Sequence, residues 1–468
     1  MTEAAPPPAP LPTPSPTPSP APSSAPWAEL ERYLEAEDGD SIRNLFASWS
    51  ETDRTHIASH MSSADLAHLL DLLDPELGAE LIECLPLSQA ADAIEEVEPV
   101  AAAEILEELP SDERVDVLAE VESKEREAIL DEVDEATADE ARVLLEYGPD
   151  TAGGLMHTEF LAVHSGQSVA SAIEEIRRSA DQFARYAVQY LYTVDELGCL
   201  DGVVPVRSLL FVEPSVELTQ VIIREPTALH VEDSLDDLCD VFEDAGFLGA
   251  PVVDEAGVLL GVVERAAVND ATIEVAEADH MKSLGIASGE ELRSMPSLTR
   301  SRRRLSWLSI NIVLNLIAAS VIAAYEETLQ AAIALAVFLP IISDMSGCSG
   351  NQAVAVSLRE LSLGVVRPAE LLYVLGKEAL VGVLNGLALG SLLAGVAVFW
   401  KGDMMLGLVV GAALALNTLL AVSIGGVVPL VIKRFGWDPA LASGPILTTL
   451  TDVCGFFLTL SFAAAILV

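Results

Sequence analysis

The chain has 468 residues, and its 72 acidic and 25 basic side chains give a formal net charge of −47 at pH 7. Acids and bases balance over residues 301–468, so the net charge lies in residues 1–300. This composition predicts an acidic soluble part joined to a neutral apolar part, and it excludes nucleic-acid binding, which needs clustered Lys and Arg.

The acidity has two explanations. Either the carboxylates bind cations, or the protein works in a salt-rich cytoplasm where a densely charged surface aids solubility. The acids are spread over the whole soluble part, so they do not by themselves mark one site.

The first 147 residues predict a tail and a helical domain. Residues 1–26 contain eleven prolines, which is typical of a disordered or polyproline-like tail. In residues 27–147 the segment GAELIECLP (78–86) recurs 24 residues later as AAEILEELP (102–110). Apolar pairs keep this spacing at Leu81-Ile82, Ile105-Leu106 and Ile129-Leu130. The period predicts stacked helical hairpins in an α-helical, superhelical N domain.

Residues 148–270 predict an α/β domain of two similar halves. LAVHSGQSVASAIEEIRR followed by YLYTVDELGCLDGVVPVRSLL reads as strand, helix, strand, turn and strand. ALHVEDSLDDLCDVFEDAG and APVVDEAGVLLGVVERAAV repeat this order. The turns GCLDG and EAG, each before an apolar G-V-V strand, make the region resemble a tandem CBS pair. Such pairs often bind adenosine nucleotides through a Ser/Thr-x-x-Asp that VPVRSLL and VVERAAV lack, so nucleotide binding is the less favoured alternative for this pair.

Residues 271–304 predict a connecting helix, either one amphipathic helix or two short ones broken near Gly285 and Gly289. Residues 305–468 predict an all-α transmembrane domain, because each apolar run can cross a hydrocarbon core of about 30 Å. Five spans are predicted, at residues 305–325, 329–357, 371–399, 404–432 and 441–467.

Basic residues predict the orientation in a cell membrane. They precede the first span and lie between the second and third and the fourth and fifth spans, at Arg300, Arg302, Arg303, Arg304, Arg359, Arg367, Lys377, Lys433 and Arg434. Only Lys401 falls on the opposite side. Because cytoplasmic loops carry the excess of Lys and Arg, the soluble half is predicted to be cytoplasmic and the C-terminus outside.

Three polar residues stand deep in the spans: Asp344, Asn417 and Asp452. A charge at this depth costs about 3 to more than 10 kcal/mol, depending on the scale. No Lys, Arg or His lies at a matching depth in the sequence, so Asp452 is either protonated or paired with a cation. For Asn417 two readings stay open, a hydrogen bond between helices and a place in the cation path.

The residues around Asp452 favour a hard cation. Glycines that allow close approach and threonines that add oxygens flank it: Gly347, Gly350, Gly444, Gly455, Thr448, Thr449 and Thr451. Magnesium prefers such oxygen ligands, dehydrates reluctantly and is held through few carboxylates. The five cysteines form no CxxC pair, which predicts no zinc site or disulfide framework. Cys348 and Cys454 are isolated in sequence, so they are predicted to be small packing residues rather than soft-metal ligands.

Two long stretches carry a family resemblance. WLSINIVLNLIAASVIAAYEETLQAAIALAVFLPIISDMSGCSGNQ and DPALASGPILTTLTDVCGFF resemble the MgtE family of magnesium channels and transporters. The domain order after the proline tail agrees with the family's. The resemblance implies a homodimer with its pore on the two-fold axis. The chain departs from the family pattern at SGCSGNQ, where Cys348 stands at a position that is Asn in many members.

The resemblance also implies roles for individual residues. Asp452 would bind hydrated magnesium, Thr448 would supply a backbone carbonyl below it, and Gly455, Gly347 and Asn351 would line the constriction. Asp438 would take part in magnesium-dependent closure. Asp270 and Asp279 would be further closing-site acids, with Glu274 and Glu277 as neighbours.

The implied mechanism is feedback, in which scarce cytosolic magnesium lets acidic faces of the N domain, CBS pair and connecting helix separate, and plentiful magnesium bridges them. The alternative is a proton- or sodium-coupled divalent cation exchanger with Asp344 and Asp452 as relay groups. No enzyme activity is predicted, because all seven histidines precede the spans and no HExxH helix exists there for an intramembrane metalloprotease.

Overall fold

The computed structural model describes residues 25–179, 188–244, 246–286 and 291–468. The chain forms two compact units that divide between Arg265 and Ala266. The predicted tail lies outside the described residues up to residue 24, and its last two residues, Ala25 and Pro26, already belong to the first helix.

The N-terminal part of the first unit is helical. Its helices are α1 (Ala25–Glu35), α2 (Gly39–Ser48), α3 (Glu51–Ala58), α4 (Ser63–Leu72), α5 (Pro75–Glu83), α6 (Leu87–Glu96), α7 (Pro99–Glu107), α8 (Ser111–Glu120), α9 (Ser123–Leu130) and α10 (Glu135–Leu144). Helices α5, α7 and α9 begin 24 residues apart, as do α6, α8 and α10. Proline occupies the first turn of α5 and α7, where its missing N–H costs no hydrogen bond.

The repeat packs as two rows of helices. Helix α5 contacts α7 and α7 contacts α9, while α4, α6, α8 and α10 pack in sequence beside them. The three apolar pairs that define the period are all buried, with Leu81 and Leu106 fully inaccessible. Each hairpin therefore buries its apolar face against its neighbours, as in a helical solenoid.

The rest of the first unit contains the two predicted α/β halves. A short helix α11 (Ala152–Leu155) leads into β1 (Ala162–His164), α12 (Val169–Arg178), β2 (Tyr190–Val194), β3 (Leu200–Pro205) and β4 (Ile223–Arg224), and then into β5 (Leu229–His230), α13 (Leu235–Asp244), β6 (Gly249–Val253) and β7 (Leu259–Glu264). In the first half β1 pairs with β2 in parallel, and β2 pairs with β3 in antiparallel orientation. The second half repeats this order, with β5 and β6 parallel and β6 and β7 antiparallel.

The two halves meet at their glycine turns. Gly198 and Gly257 hold equivalent positions, with φ of +82° and +85°, a conformation that favours glycine. The backbone N–H of Leu200 donates to Gly257 O at 2.9 Å, and that of Leu259 donates to Gly198 O at 3.1 Å. These reciprocal bonds join the halves as a pair, in agreement with the two similar halves predicted from the sequence.

All secondary-structure elements in the described part of the second unit are helices. It comprises α14 (Arg265–Ser283, from residue 266), α15 (Ser297–Ala324), α16 (Glu326–Ala331), α17 (Leu339–Ser362), α18 (Leu371–Lys401), α19 (Met404–Arg434) and α20 (Pro439–Ile466), with a 3-10 turn at Ile333–Val337. Helix α14 ends before Gly285, whose φ is +91° and whose Cα faces the Trp307 ring too closely for a Cβ. Gly289 lies outside the described residues.

The predicted connecting helix over residues 271–304 is therefore not one helix. Of the two alternatives, the structure agrees with a break at Gly285. The arginine-rich segment from Arg302 to Arg304 lies inside α15, so the first apolar helix begins eight residues before the predicted span at 305.

Among the described residues, four helices are long and apolar enough to cross a membrane: α15, α18, α19 and α20. The predicted second span, 329–357, is divided between α16, the 3-10 turn and the 24-residue α17. Helix α17 contacts both α19 and α20, but its serines, Asp344, Asn351 and Gln352 lower its hydropathy. The count of five crossings thus stays a prediction.

Small residues set the spacing of the apolar helices. Glycines of α18 face the α19 backbone at steps of four residues, and a Cβ at Gly386 would lie 2.4 Å from Ala415 O. A Cβ at Gly425 of α19 would lie 2.3 Å from Gly350 O of α17. This close backbone approach is the packing that holds helices together where lipid removes the hydrophobic driving force.

Candidate cation site

A cavity of about 590 Å³ lies between α15, α16, α17 and α20. Its apolar wall is formed by Ile322, Leu329, Ala336, Leu339, Pro340 and Phe456, and its polar wall by Ser343, Asp344, Gly347, Cys348, Asn351, Thr448 and Asp452. The polar residues form stripes at helical spacing, because residues four apart lie on one helix face. The structure thus brings together five predicted site residues: Asp344, Gly347, Asn351, Thr448 and Asp452.

Asp452 is the most enclosed charge of this cavity, with 9% of its surface exposed. Ser343 of α17 donates a hydrogen bond from Oγ to Asp452 Oδ1. No basic side chain of the described chain interacts with the carboxylate. An ionised Asp452 is therefore compensated by one hydroxyl and by whatever occupies the cavity.

Ser343 was not selected from the sequence. It lies beside Asp344 and one turn before Gly347, so a helical projection of α17 places it on the same face as Gly347 and Asn351. That projection would have found it as a lining residue. Its hydrogen bond to α20 depends on how the two helices pack, which the spacing does not show.

Asn417 lies outside the cavity, so its placement among the lining residues is corrected. It is fully buried in α19, and its Nδ2 donates to Ser346 Oγ of α17 at 2.5 Å and to Thr451 O of α20 at 3.1 Å. Of the two readings left open, the structure supports the hydrogen bond between helices. Gly455 is buried beside this amide, since a Cβ there would lie 2.6 Å from Asn417 Nδ2.

Gly347 is buried like Gly455, but it borders the cavity. The nearest atom to a Cβ built on Gly347 is Thr451 Oγ1, at 3.9 Å, so its face is open toward the cavity. Gly347 is thus a lining residue, whereas Gly455 of α20 leaves room for the Asn417 side chain of α19 and so allows these two helices to pack closely. Thr448, also in the lining, is exposed and donates from Oγ1 to Gly444 O at 3.0 Å.

The prediction that Cys348 is a packing residue is wrong. Its thiol is exposed, and it lies on the cavity wall one turn from Asp344, which is also exposed. The error arose because a small residue between glycines also fits a helix contact. Cys454 differs, being partly buried on α20 and absent from the lining.

Two predicted regulatory acids lie on either side of one lysine. Lys282 Nζ is 3.3 Å from Asp438 Oδ2 and 3.8 Å from Asp279 Oδ1. Burial raises the pKa of Asp279, an effect that Lys282 opposes and Asp438 reinforces. Asp438 also caps α20, accepting a hydrogen bond from the Ala440 N–H at 2.8 Å.

The other predicted regulatory acids are not gathered with that pair. Asp270, Glu274 and Glu277 are exposed on α14, and Glu277 borders a separate cavity with His280 and Glu291. Within the described residues, no three His, Cys, Asp or Glu side chains are grouped as metal ligands. The cavity lining itself offers two carboxylates, hydroxyls and an amide oxygen, which is a ligand set that hydrated magnesium accepts.

Comparisons with known proteins follow the same division of the chain. Residues 339–462 match the MgtE family of divalent cation transporters, residues 49–150 the MgtE intracellular N domain, and residues 218–272 the CBS domain. The chain is 32% identical over 342 residues to a magnesium transporter MgtE of Thermus thermophilus, covering 71% of this chain and 74% of that one. It is 31% identical to the Enterococcus faecalis magnesium transporter MgtE, covering 70% of this chain and 71% of that one.

A solved structure is similar to the soluble part. The cytosolic domain of the Mg²⁺ channel MgtE in complex with ATP is 28% identical, with a TM-score of 0.48, covering 52% of this chain and 99% of that chain.

Proposed function

This chain belongs to the MgtE family of divalent cation transporters, and from this premise we propose that it moves magnesium across a cell membrane into the cytoplasm. One observation carries the proposal: a nine-tenths buried carboxylate, Asp452, faces a polar cavity without any basic partner in the described chain. Membership of a cation-transporter family, together with a cavity that offers no positive side chain to Asp452, favours a cation as the partner of this carboxylate.

The lining suits an ion that keeps part of its water. Asp452 and Asp344 supply carboxylates, Asn351 an amide oxygen, and Thr448 and Ser343 hydroxyls. Magnesium exchanges its inner water reluctantly, so hydrogen bonds from bound water to such oxygens hold it at a low cost in dehydration. Two carboxylates per chain attract the magnesium ion without binding it so tightly that it could not leave the site.

A homodimer is part of the proposal. The polar face of α17 that carries Asp344, Cys348 and Asn351 is exposed in the single chain. An intramembrane polar face is costly against lipid, so it needs water or protein beside it. A second copy across a two-fold axis would supply another Asp452 to the same path and separate both stripes from lipid.

The proposed topology has five crossings, with α17 as the least apolar of them. The soluble N-terminal domains would be cytoplasmic and the C-terminus outside, because most Lys and Arg of the membrane part lie on one side. Helix α17 can serve as a crossing because Ser343, Asp344 and Asn351 line the cavity, where water or a cation can satisfy them.

Gating by cytosolic magnesium is proposed at the acidic soluble domains. The net charge of −47 lies in the first 300 residues, so like charges oppose closure until a divalent cation bridges them. Protection from limited proteolysis should then appear with millimolar magnesium and be absent with an equal ionic strength of monovalent salt. Equal protection in both would contradict a magnesium-specific closure.

Flux into liposomes tests the transport itself. A magnesium indicator inside the vesicles should report entry that follows the magnesium gradient and the voltage. Flux that follows an imposed proton or sodium gradient instead would replace this proposal by the exchanger alternative, with Asp344 and Asp452 as relay groups. Empty vesicles are the control for leakage.

A further inference from the structure

Cys348 lies beside Asp344 on the cavity wall, and its sulfur has no role in the proposed magnesium path. Both are exposed on the cavity side of α17, four residues apart. Residues at this spacing on a helix have Cβ atoms about 5–6 Å apart, so one cation can contact both side chains. Asn351, three residues beyond Cys348, adds an amide oxygen on the same face.

We propose that Cys348, Asp344 and Asn351 form a cation site selective for thiophilic divalent ions such as cadmium and zinc. The proposal rests on the proposed function only in taking the cavity to be open to cations. Sulfur ligands select softer metals, whereas carboxylate, carbonyl and water ligands suit magnesium. This site would share Asp344 and Asn351 with the magnesium lining and add the Cys348 sulfur, so a softer ion bound there would compete with magnesium.

Asp452 supports this site independently of the cysteine. It is nine-tenths buried, faces the same cavity and has no basic partner in the described chain, so the cavity itself attracts cations. A thiol in this negative, polar setting has a carboxylate neighbour for a metal ion and oxygen ligands within the same lining. Cys454, partly buried and outside the lining, lacks that setting although it lies on a lining helix.

The binding step releases one proton. The Cys348 S–H loses its proton to water as the metal–sulfur bond forms, because the thiolate is the ligand. The resulting complex contains one thiolate and one carboxylate, so the charge of a divalent ion is neutralised at the site. A cation fixed there would obstruct the cavity that magnesium has to pass.

Cadmium is the probe for this site, and the purified full-length protein is the sample. Thiolate-to-cadmium charge transfer absorbs in the ultraviolet, which reports binding without any need for transport. We compare wild type with Cys348→Ser, Asp344→Asn and the matched control Cys454→Ser. Cadmium inhibition of magnesium flux is then measured for each variant relative to its own flux without cadmium.

We expect Cys348→Ser to remove the absorption of one cadmium ion per chain and Asp344→Asn to weaken that binding. Even outer-shell changes weaken metal binding by about 10–100-fold, so the cadmium concentration for half inhibition should rise at least about tenfold in Cys348→Ser. Cys454→Ser should retain both signals.

Three results would overturn the site. They are the same absorption in Cys348→Ser as in wild type, loss of it in Cys454→Ser instead, or unchanged cadmium affinity in Asp344→Asn. Absence of magnesium flux in wild type, with the Cys348-dependent absorption intact, would refute the proposed transport and leave this site standing.

Discussion

Replacing Asp452 by Asn tests the charge at the centre of the proposed path. The amide has nearly the same shape and can still accept the Ser343 hydrogen bond, so packing changes little while the charge disappears. Two unit charges about 4 Å apart attract by about 4 kcal/mol at an effective dielectric constant near 20, and a divalent ion doubles this to about 8 kcal/mol.

Partial dehydration of the ion opposes most of that attraction. If roughly a third remains, the carboxylate contributes about 3 kcal/mol, which corresponds to a loss of roughly 100-fold in affinity. Asp452 is 9% exposed, which limits the screening of its charge by solvent.

The assay is magnesium entry into liposomes over a range of external magnesium. Asp452→Asn should lose most of its flux at low magnesium while keeping its thermal unfolding temperature. Glu327→Gln, an exposed carboxyl on α16 outside the cavity lining, is the matched control and should behave as wild type. Flux within about twofold of wild type in Asp452→Asn would refute the electrostatic reasoning.

Three further substitutions test the contacts around the site. Ser343→Ala removes a hydrogen bond to a charged group, a contact worth about 1.5–3 kcal/mol. Half-saturation of the flux should then need roughly tenfold more magnesium, and Ser343→Thr should restore the wild-type concentration. An unchanged half-saturating concentration in Ser343→Ala would show that Asp452 needs no positioning. Lys282→Gln frees two carboxylates for a metal ion, so magnesium should protect this variant from proteolysis at a lower concentration than it protects wild type. The control Lys401→Gln should need the same magnesium concentration as wild type. A higher requirement in Lys282→Gln would refute the reasoning. Asn417→Ala should lower stability by about 1–2 kcal/mol in thermal unfolding and leave ion selectivity unchanged, whereas altered selectivity at full stability would return Asn417 to the path.

Lys282 also bears on the regulatory site that the sequence suggested. An ammonium group lies between Asp279 and Asp438, where the family resemblance implied acids that respond to magnesium. A partly exposed ion pair of this kind contributes about 1 kcal/mol, so it can be displaced by a divalent cation at modest cost. The spacing of three between Asp279 and Lys282 was readable in the sequence, but the approach of Asp438 from α20 was not.

Features that repeat locally could be read from the sequence. The 24-residue period set the positions of α5, α7 and α9, because each hairpin buries the same apolar pair against its neighbour. The glycine turns at Gly198 and Gly257 marked the two CBS halves, since both require positive φ. The uncharged helices around Asp452 identified the membrane part, because hydropathy depends on composition alone.

What the sequence by itself determined is therefore the order of domains, the periodic cores and the presence of an unpaired acid in an apolar helix. Only the tertiary structure decided that Ser343 reaches that acid, that Asn417 joins three helices instead of lining the cavity, and that Cys348 faces it. The physical reason is that periodicity and hydropathy act within one element, whereas hydrogen-bond partners and exposure depend on which helices approach one another. Close contacts such as Gly425 against Gly350 set that approach, and they join residues far apart in the chain.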